Sequence, residues 1–185
     1  MTTAAVLLAA GEGSRYDGPT HKLLAPIDGS VVFERSLIPV LAAGFDEVIV
    51  VTGACELGRF IPDGVTIIDN PIWDEGQATS LAAAVDYLQA GLHDAAVIGL
   101  ADQPGVTTDC WRSLRESNAD LAAASYEGRQ RNPVRLARSV WPELPREGDI
   151  GARQILRARS AEVERITCSG NSDDIDTLED LRSWS

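Results

Sequence analysis

Two glycines and two cationic side chains follow the first apolar run of the chain. Gly11 and Gly13 lie in the stretch "LAAGEGSRYDGPTHKLL", and Arg15 and Lys22 come shortly after them. Glycines let the main chain approach a phosphate closely, and an arginine fork with a lysine point charge can hold a triphosphate. Lys22 is the only lysine beside fifteen arginines, which indicates a place that needs a compact ammonium. A glycine turn with two surface charges is the alternative interpretation.

Two common phosphate-binding fingerprints do not match this loop. The dinucleotide fingerprint needs a third glycine three residues after Gly13, where the chain has Tyr16. A Walker A loop needs Gly-Lys after four intervening residues, where the chain has Gly18 and Pro19. The pattern therefore weakens an NAD or FAD site and excludes a P-loop.

Carboxylates stand at two further places that suit a metal ion. Asp102 ends an apolar run, and a hard oxygen ligand at a strand end can hold Mg²⁺ against substrate phosphates. A turn aspartate before a proline is the alternative for this residue. The stretch "DDIDTLED" offers Asp176 first and Asp174 second as a partner carboxylate. Asp176 is also a candidate cap for the last helix.

Short apolar runs and helix-like segments alternate in the first half of the chain. The runs at residues 4–10, 47–53, 65–70 and 95–102 predict strands buried on both faces, and residues 31–44 and 76–91 predict helices closing at Gly44 and Gly91. This alternation predicts a doubly wound α/β layer with a mostly parallel sheet. The second half predicts strands at 120–126, 132–137 and 162–168 and helices at 150–158 and 176–184.

Ligands of such sheets bind outside the carboxyl ends of the strands. That rule selects the loop after Ala10, the turn after Gly53, the segment after Asn70, and Asp102. A helix that starts at "GQATSL" would place Gly76, Gln77, Thr79 and Ser80 where free N–H groups and hydroxyls suit an anion or a base edge. Simple capping is the alternative for that segment.

Length and composition limit the classes of function. The 185 residues suit one domain, because single cores stop growing only beyond ~250 residues. The net charge of −12 opposes general nucleic acid binding. No apolar run reaches the ~18 residues of a membrane span, and the start resembles no signal peptide, so we expect a cytoplasmic protein without membrane partners. The separated Cys55, Cys110 and Cys168 predict unpaired thiols.

The order of several motifs resembles the MobA-like nucleotidyltransferases, and within them the molybdenum cofactor cytidylyltransferases. The motifs are "LAAGEGSR", "HKLL", "NPIWDEGQATSL", "GLADQPGVT", "RNPVRL", "GDIGARQIL" and "DIDTLEDL", and they extend over almost the whole chain. The stretch from Arg15 to Lys22 is longer than the usual form. The resemblance implies a Rossmann-like, three-layer α/β/α nucleotidyltransferase fold (GT-A-like), with residues 1–102 binding nucleotide and 103–185 binding the acceptor.

The same resemblance implies a reaction and a set of residues. CMP would pass from CTP to a phosphorylated acceptor, the molybdenum cofactor (molybdopterin), with a molybdenum hydroxylase as recipient. Mg²⁺ would be held by Asp102 and Asp176, with Arg15, Lys22 and Asp102 catalytic. The binding residues fall in two groups: for nucleotide, Leu8, Ala9, Ala10, Gly11, Gly13, Ser14, Gly76, Thr79 and Ser80; for acceptor, Asn132, Gly148, Asp149 and Arg153.

The base, the acceptor and turnover itself leave alternatives. The guanylyl branch has a glycine in place of Ala10, whose methyl would crowd a purine, so CTP is favoured over GTP. Another phosphate monoester could be the acceptor. A non-catalytic chaperone that inserts the cofactor is the alternative from another class. His21 and His93 receive no role, and the four tryptophans, Trp73, Trp111, Trp141 and Trp184, are expected in the core or at its rim.

Overall fold

A seven-stranded sheet forms the centre of the molecule. The computed structural model of the chain describes residues 1–184. The strands are β1 (Thr3–Leu8), β2 (Pro26–Ile27), β3 (Ser30–Val31), β4 (Glu47–Thr52), β5 (Thr66–Asp69), β6 (Ala95–Leu100), β7 (Leu121–Tyr126), β8 (Arg129–Ala137) and β9 (Glu164–Thr167). In space the large sheet runs β5, β4, β1, β6, β8, β7, β9, and β2 pairs with β3 in a separate hairpin.

Five α-helices cover the sheet. They are α1 (Val32–Ala42), α2 (Gln77–Ala90), α3 (Thr108–Glu116), α4 (Arg153–Ala158) and α5 (Leu178–Ser183), with short 3-10 helices at Lys22–Leu24, Gly58–Phe60, Trp73–Glu75 and Arg138–Glu143. Alternate β1 residues point to opposite faces: Leu7 packs in the cluster with α1 and α3, and Val6 in the cluster with α2 and α4. The predicted three-layer α/β/α architecture with a mostly parallel sheet is confirmed.

The strands differ from the sequence prediction at the edge and in direction. β5 was expected to be buried on both faces, yet its residues alternate between half-buried and exposed because it is the edge strand. β8 runs antiparallel to both β6 and β7, while all other pairs of the large sheet are parallel. α3 was not predicted, since its buried residues are only Cys110, Trp111 and Leu114. Thr107 caps that helix by accepting a hydrogen bond from the Cys110 N–H.

The register of the central strands sets the site. Leu8 at the end of β1 lies opposite Leu100 at the end of β6, and both strands run in the same direction. The N–H of Ala101 donates to the Leu8 carbonyl at 3.0 Å, which extends the pairing past the strand ends. The loop after β1 and Asp102 after β6 therefore leave the sheet side by side. Among residues 1–184 no helix is long and apolar enough to cross a membrane.

A disulfide joins the start of α3 to the end of β9. The sequence predicted unpaired thiols, which is wrong for Cys110 and Cys168, because the fold brings together two residues 58 positions apart that have no local signal. Cys55 is a free, buried thiol as expected. The bond fixes the chain just before the segment that carries Asp174 and Asp176.

Reduction of this bond should lower the free energy of unfolding by about 2–4 kcal/mol, since the bond closes a loop of 58 residues in the unfolded chain. Urea denaturation with and without a dithiol reductant measures the effect. Cys168→Ser should be equally stable in both conditions, and Cys55→Ala should respond as wild type does. A Cys168→Ser variant that loses as much stability on reductant addition as wild type contradicts the prediction.

Candidate active site

A cleft of about 420 Å³ opens at the carboxyl ends of β1 and β6. The first loop forms one wall and the start of α2 the other. The lining residues are Leu8, Ala9, Ala10, Gly11, Glu12, Gly13, Ser14, Arg15, Lys22, Leu23, Trp73, Asp74, Gly76, Gln77, Ser80, Leu100, Asp102 and Asp149. The structure thus brings together most of the residues that the sequence analysis proposed for nucleotide binding.

Lys22 lies at the centre of the ionic contacts in this cleft. Its Nζ donates to Asp102 Oδ2 at 2.6 Å and to Asp176 Oδ1 at 2.8 Å, and its side chain is only 11% exposed. Burial lowers the pKa of the Lys22 ammonium, but the two carboxylates raise it by more, so the pKa lies above its usual 10.5. The ammonium therefore remains charged and holds together two carboxylates that are 74 residues apart in the chain.

The position of Lys22 depends on its neighbours in the first loop. His21 caps the 3-10 helix that begins at Lys22: its Nδ1 accepts from the Leu23 N–H at 3.2 Å. Its Nε2 lies 3.0 Å from the Gly11 carbonyl, and because a carbonyl only accepts, Nε2 carries the proton. A neutral imidazole thus ties the glycine loop to the lysine. Burial is the main cause that lowers the pKa of His21 below its usual 6.5.

Asp176 is available to Lys22 and Arg15 because Thr177, and not Asp176, caps α5. The Thr177 hydroxyl accepts from the Asp180 N–H, and Asp180 Oδ2 accepts from the N–H groups of Thr177 and Asp176. The capping box leaves the Asp176 carboxylate free to pair with Lys22 and with Arg15 Nη2 at 2.9 Å. The Arg15 side chain is 74% exposed and reaches the cluster from solvent.

Asp174 belongs to a different group of contacts. Its Oδ1 accepts from Gln103 Nε2 at 2.6 Å, and it lines a second cleft behind Asp102. Burial, and after it the charge of Asp102, raises the pKa of Asp174. Residue 175 between the two aspartates is a core isoleucine, and the stretch is irregular rather than a strand. Asp174 therefore lines the second cleft, whereas Asp176 contacts the two cations of the first cleft.

Asn70 anchors the start of α2. Its Nδ2 donates to the hydroxyls of Thr79 and Ser80, each at 2.9 Å. The Thr79 hydroxyl also donates to the Gly76 carbonyl at 2.8 Å, so the structure places Thr79 inside the helix start and outside the cleft wall, while Ser80 lines the cleft. Gly76 has a φ of 112°, and an added Cβ would stand 2.6 Å from the Gly148 carbonyl oxygen. Gly148 thus supports the wall from behind, and Asp149 lies in the wall itself.

A second cleft of about 570 Å³ adjoins the first, and Leu100 lines both. Of the residues proposed for the acceptor, Asn132 and Arg153 line this second cleft, whereas Asp149 lines the first. Arg131 and Arg157 add two further cations to the second cleft, and Asp173 and Asp174 line it as well.

The residues beside Lys22 fit a divalent metal ion. Asp102 Oδ1 is buried and has no hydrogen-bond partner, which leaves a hard oxygen ligand unused. Within residues 1–184 no group of three or more histidine, cysteine or acidic side chains is arranged to hold a metal. Two carboxylates suit Mg²⁺ all the same, because this ion keeps several waters and completes its shell with substrate phosphates.

The sequence as a whole matches a known family. A family model described as the MobA-like NTP transferase domain matches residues 5–177. The chain belongs to this family. The resemblance predicted from the motifs is therefore confirmed, and the chain is a member of the nucleotidyltransferase superfamily.

Three proteins illustrate the similarity. Nicotine blue oxidoreductase of Paenarthrobacter nicotinovorans is 30% identical over 194 residues, covering 95% of this chain and 93% of the relative. Purine catabolism protein PucB of Bacillus subtilis is 29% identical, covering 95% and 92%. The crystal structure of Rv0371c from Mycobacterium tuberculosis in complex with manganese has a TM-score of 0.81 at 24% identity, covering 100% and 98%. The last likeness confirms the fold.

Sequence reasoning gave no role to His21, which positions Lys22, or to Trp73, which lines the cleft. His21 received no role, because a lone histidine before a lysine carries no capping signal that distinguishes it from a surface residue. Trp73 was expected in the core or at its rim; it packs against the core cluster beneath α2 and also lines the cleft. Trp73 lies in the segment after Asn70, one of the four strand ends at which a ligand was expected. This position was the signal that could have identified it.

Gly13→Ala should destabilise the protein by about 1–2 kcal/mol, because a non-glycine residue is strained at a φ of 68° and the new Cβ would stand 2.9 Å from Lys22 Cγ. Gly11→Ala is the matched control, since its added Cβ meets nothing within 4 Å, and it should change stability by less than about 0.5 kcal/mol. Urea denaturation of both variants measures the difference. Equal stability of the two variants would show that the loop moves freely around Lys22.

Because burial lowers the pKa of His21, we expect the folded protein to lose stability in mild acid. The pKa of His21 is lowered on folding, so the unfolded chain binds the proton more tightly; the stabilisation is complete above pH 6.5 and is lost as the pH falls through the folded-state pKa. His21→Asn retains a capping acceptor but cannot titrate, so its unfolding free energy should fall less between pH 7.5 and 5. Denaturation at a series of pH values measures both curves. Parallel curves would contradict a His21 pKa that burial lowers in the folded protein.

Proposed function

We propose that the chain is a metal-dependent nucleotidyltransferase that transfers CMP from CTP to a phosphorylated acceptor, the molybdenum cofactor, and releases pyrophosphate. The observation that carries the proposal is the cluster of Lys22, Asp102, Asp176 and Arg15 at the mouth of a glycine loop. It combines two cations for phosphates with two carboxylates for a metal ion at the carboxyl end of a parallel sheet. Lys22, Arg15 and Asp102 line the cleft, and Asp176 pairs with both cations.

In the proposed reaction, an oxygen of the acceptor phosphate attacks the α-phosphorus of CTP. The bond from that phosphorus to the oxygen bridging to the β-phosphate breaks, and the electron pair leaves with pyrophosphate. Phosphoryl chemistry of this kind needs positioning and charge stabilisation more than covalent help. Backbone N–H groups of Gly11, Gly13 and Ser14, with Arg15, would bind the β- and γ-phosphates. Lys22 would neutralise charge near the α-phosphate.

A metal ion would be held by Asp102 and Asp176. Mg²⁺ is the ion we propose; the manganese in the M. tuberculosis structure indicates that a protein with this fold binds a divalent ion. When bound, the ion would neutralise the phosphates. The unused Oδ1 of Asp102 is the chain's own support for such an ion.

Ala10 supports CTP over GTP. Its side chain is 3% exposed and lies where β1 leads into the glycine loop, and a Cβ added to Gly53 would stand 2.9 Å from the Ala10 methyl. The wall at this point is thus tightly packed and cannot recede from a larger base. A purine would need the volume that this methyl occupies.

Cations in the second cleft support an anionic acceptor. Arg131, Arg153 and Arg157 line it in a chain whose net charge is −12. Residues 1–102 would then serve the nucleotide and residues 103–185 the acceptor, with Leu100 at the border of the two clefts. Arginine forks suit a phosphate monoester with a further negative group.

The relatives' names give the alternatives to be tested. One is called an oxidoreductase and another a purine catabolism protein. Against a dinucleotide cofactor stands Tyr16, which occupies the place of the third fingerprint glycine. The remaining alternatives are a transferase that uses GTP or another phosphate monoester, and a non-catalytic chaperone that delivers the cofactor to a molybdenum hydroxylase.

Wild type with CTP, Mg²⁺ and molybdopterin should release pyrophosphate. Asp102→Asn should lower the rate by roughly 10²–10³-fold, because it would weaken the hold on the metal ion, and loss of one electrostatic group that stabilises the transition state costs about that much. Removal of the metal with EDTA should abolish turnover. Asp109→Asn is the matched control, since Asp109 is an exposed carboxylate paired with Arg112 on α3.

Each alternative has its own outcome in the same assay. Equal background release by wild type and Asp102→Asn, with retained molybdopterin binding, would favour the chaperone. Turnover with GTP but not CTP would overturn the base assignment alone. Binding of NADH or NADPH in place of any nucleoside triphosphate would favour an oxidoreductase and sink the proposal.

A further inference from the structure

One wall of the first cleft carries an aromatic side chain for which the proposed reaction gives no role. Trp73 begins the 3-10 helix Trp73–Glu75, just before α2, and its side chain lines the cleft. Among the cleft-lining residues that the structure describes, it is the only aromatic one. The proposed phosphate-binding groups Arg15 and Lys22 and the proposed metal ligand Asp102 lie on other segments, in the first loop and after β6.

Trp73 is held in place from behind. It packs against the core cluster beneath α2, and a Cβ added to Gly53 would stand 2.9 Å from the Cβ atoms of both Trp73 and Ala10. Gly53 has no side chain, and this lets Trp73 approach the end of β1 closely. Because the indole is anchored on the apolar cluster and still borders the cleft, it presents a fixed aromatic surface to whatever the cleft binds.

The neighbours of Trp73 match the polar edge of a nucleobase. Asp74 and Gln77 line the same wall and can pair with amino and ring nitrogen groups. Ser80 is 4% exposed, lines the cleft, and accepts from Asn70 Nδ2, which leaves its hydroxyl proton for an acceptor in the cleft. An aromatic face beside such groups is the arrangement that recognises a flat, hydrogen-bonding ring.

We propose that Trp73 stacks on the nucleobase of the bound nucleoside triphosphate and is the base-binding residue on this wall of the cleft. This inference rests on the proposed function. Ala10 bounds the base on the side of β1, and Trp73 bounds it on the side of α2. The phosphates then extend toward Lys22 and Arg15, and the base end and the phosphate end are served by different residues.

Two ligands, CTP and inorganic tripolyphosphate, distinguish binding of the base from binding of the phosphates. Each is titrated into the protein in a calorimeter in the presence of Mg²⁺. Trp73→Ala should weaken CTP by roughly 5- to 150-fold, the range equivalent to stacking of one base on an aromatic ring, and should leave tripolyphosphate unchanged. Trp73→Phe should retain most of the CTP affinity. Lys22→Ala should weaken both ligands.

Intrinsic fluorescence gives an independent readout. CTP should quench tryptophan emission in wild type and in the control Trp184→Phe, because Trp184 lies near Gly105 and outside the cleft lining. It should leave the emission of Trp73→Phe unchanged. Tripolyphosphate should quench none of the three proteins.

The outcomes distinguish this inference from the proposed function. If wild type binds CTP and Trp73→Ala binds it equally well, the stacking is wrong and the proposed function stands. If Trp73→Ala weakens both ligands equally, the indole is only a structural support and the inference is overturned. If wild type binds no nucleoside triphosphate, the proposed function fails and the inference fails with it.

Discussion

The contact of one ammonium with two carboxylates is the constraint on which the site depends. Lys22 Nζ lies within 2.8 Å of oxygens from Asp102 and Asp176, which arrive from the end of β6 and from the loop before α5. Two carboxylates this close would repel each other without a cation between them. The first loop, the end of β6 and the segment before α5 must therefore come together for these three charged side chains to be stable in contact.

The sequence predicted the central strands and the first helices because continuous apolar runs and helical spacing are local signals. The glycine loop and Asp102 could be named because each follows a strand end, and Lys22 because it is the only lysine in the sequence. The direction of β8 and the Cys110–Cys168 bond depend on contacts between distant segments. Asp174 and Asp176 could not be separated, because the irregular backbone between them, and not the alternation of a strand, decides which cleft each one faces.

Charge balance explains how a protein with a net charge of −12 could accept a polyanion. In the cluster two cations, Lys22 and Arg15, are matched by two carboxylates, so the site itself is neutral. Arg15 is the exposed partner and the one that a phosphate could draw away at least cost, because exposed ion pairs contribute little free energy. Its departure would leave Asp176 with one cation fewer, and the affinity of that carboxylate for a divalent ion would rise. Phosphate and metal would then bind cooperatively, each removing a penalty for the other.

The border between the two clefts follows from the same strand end. β6 carries Leu100 into both clefts, and the next residues send Asp102 to Lys22 and Gln103 to Asp174. Two successive side chains in the turn after β6 thus have partners in different clefts. In the proposed transfer reaction the donor and the acceptor would meet in line where the two clefts adjoin. The end of β6 borders both clefts, so it would provide this meeting point without any domain movement. The antiparallel β8 places Asn132 on the far side of β6 from the glycine loop, so one sheet would hold both substrates of the proposed reaction.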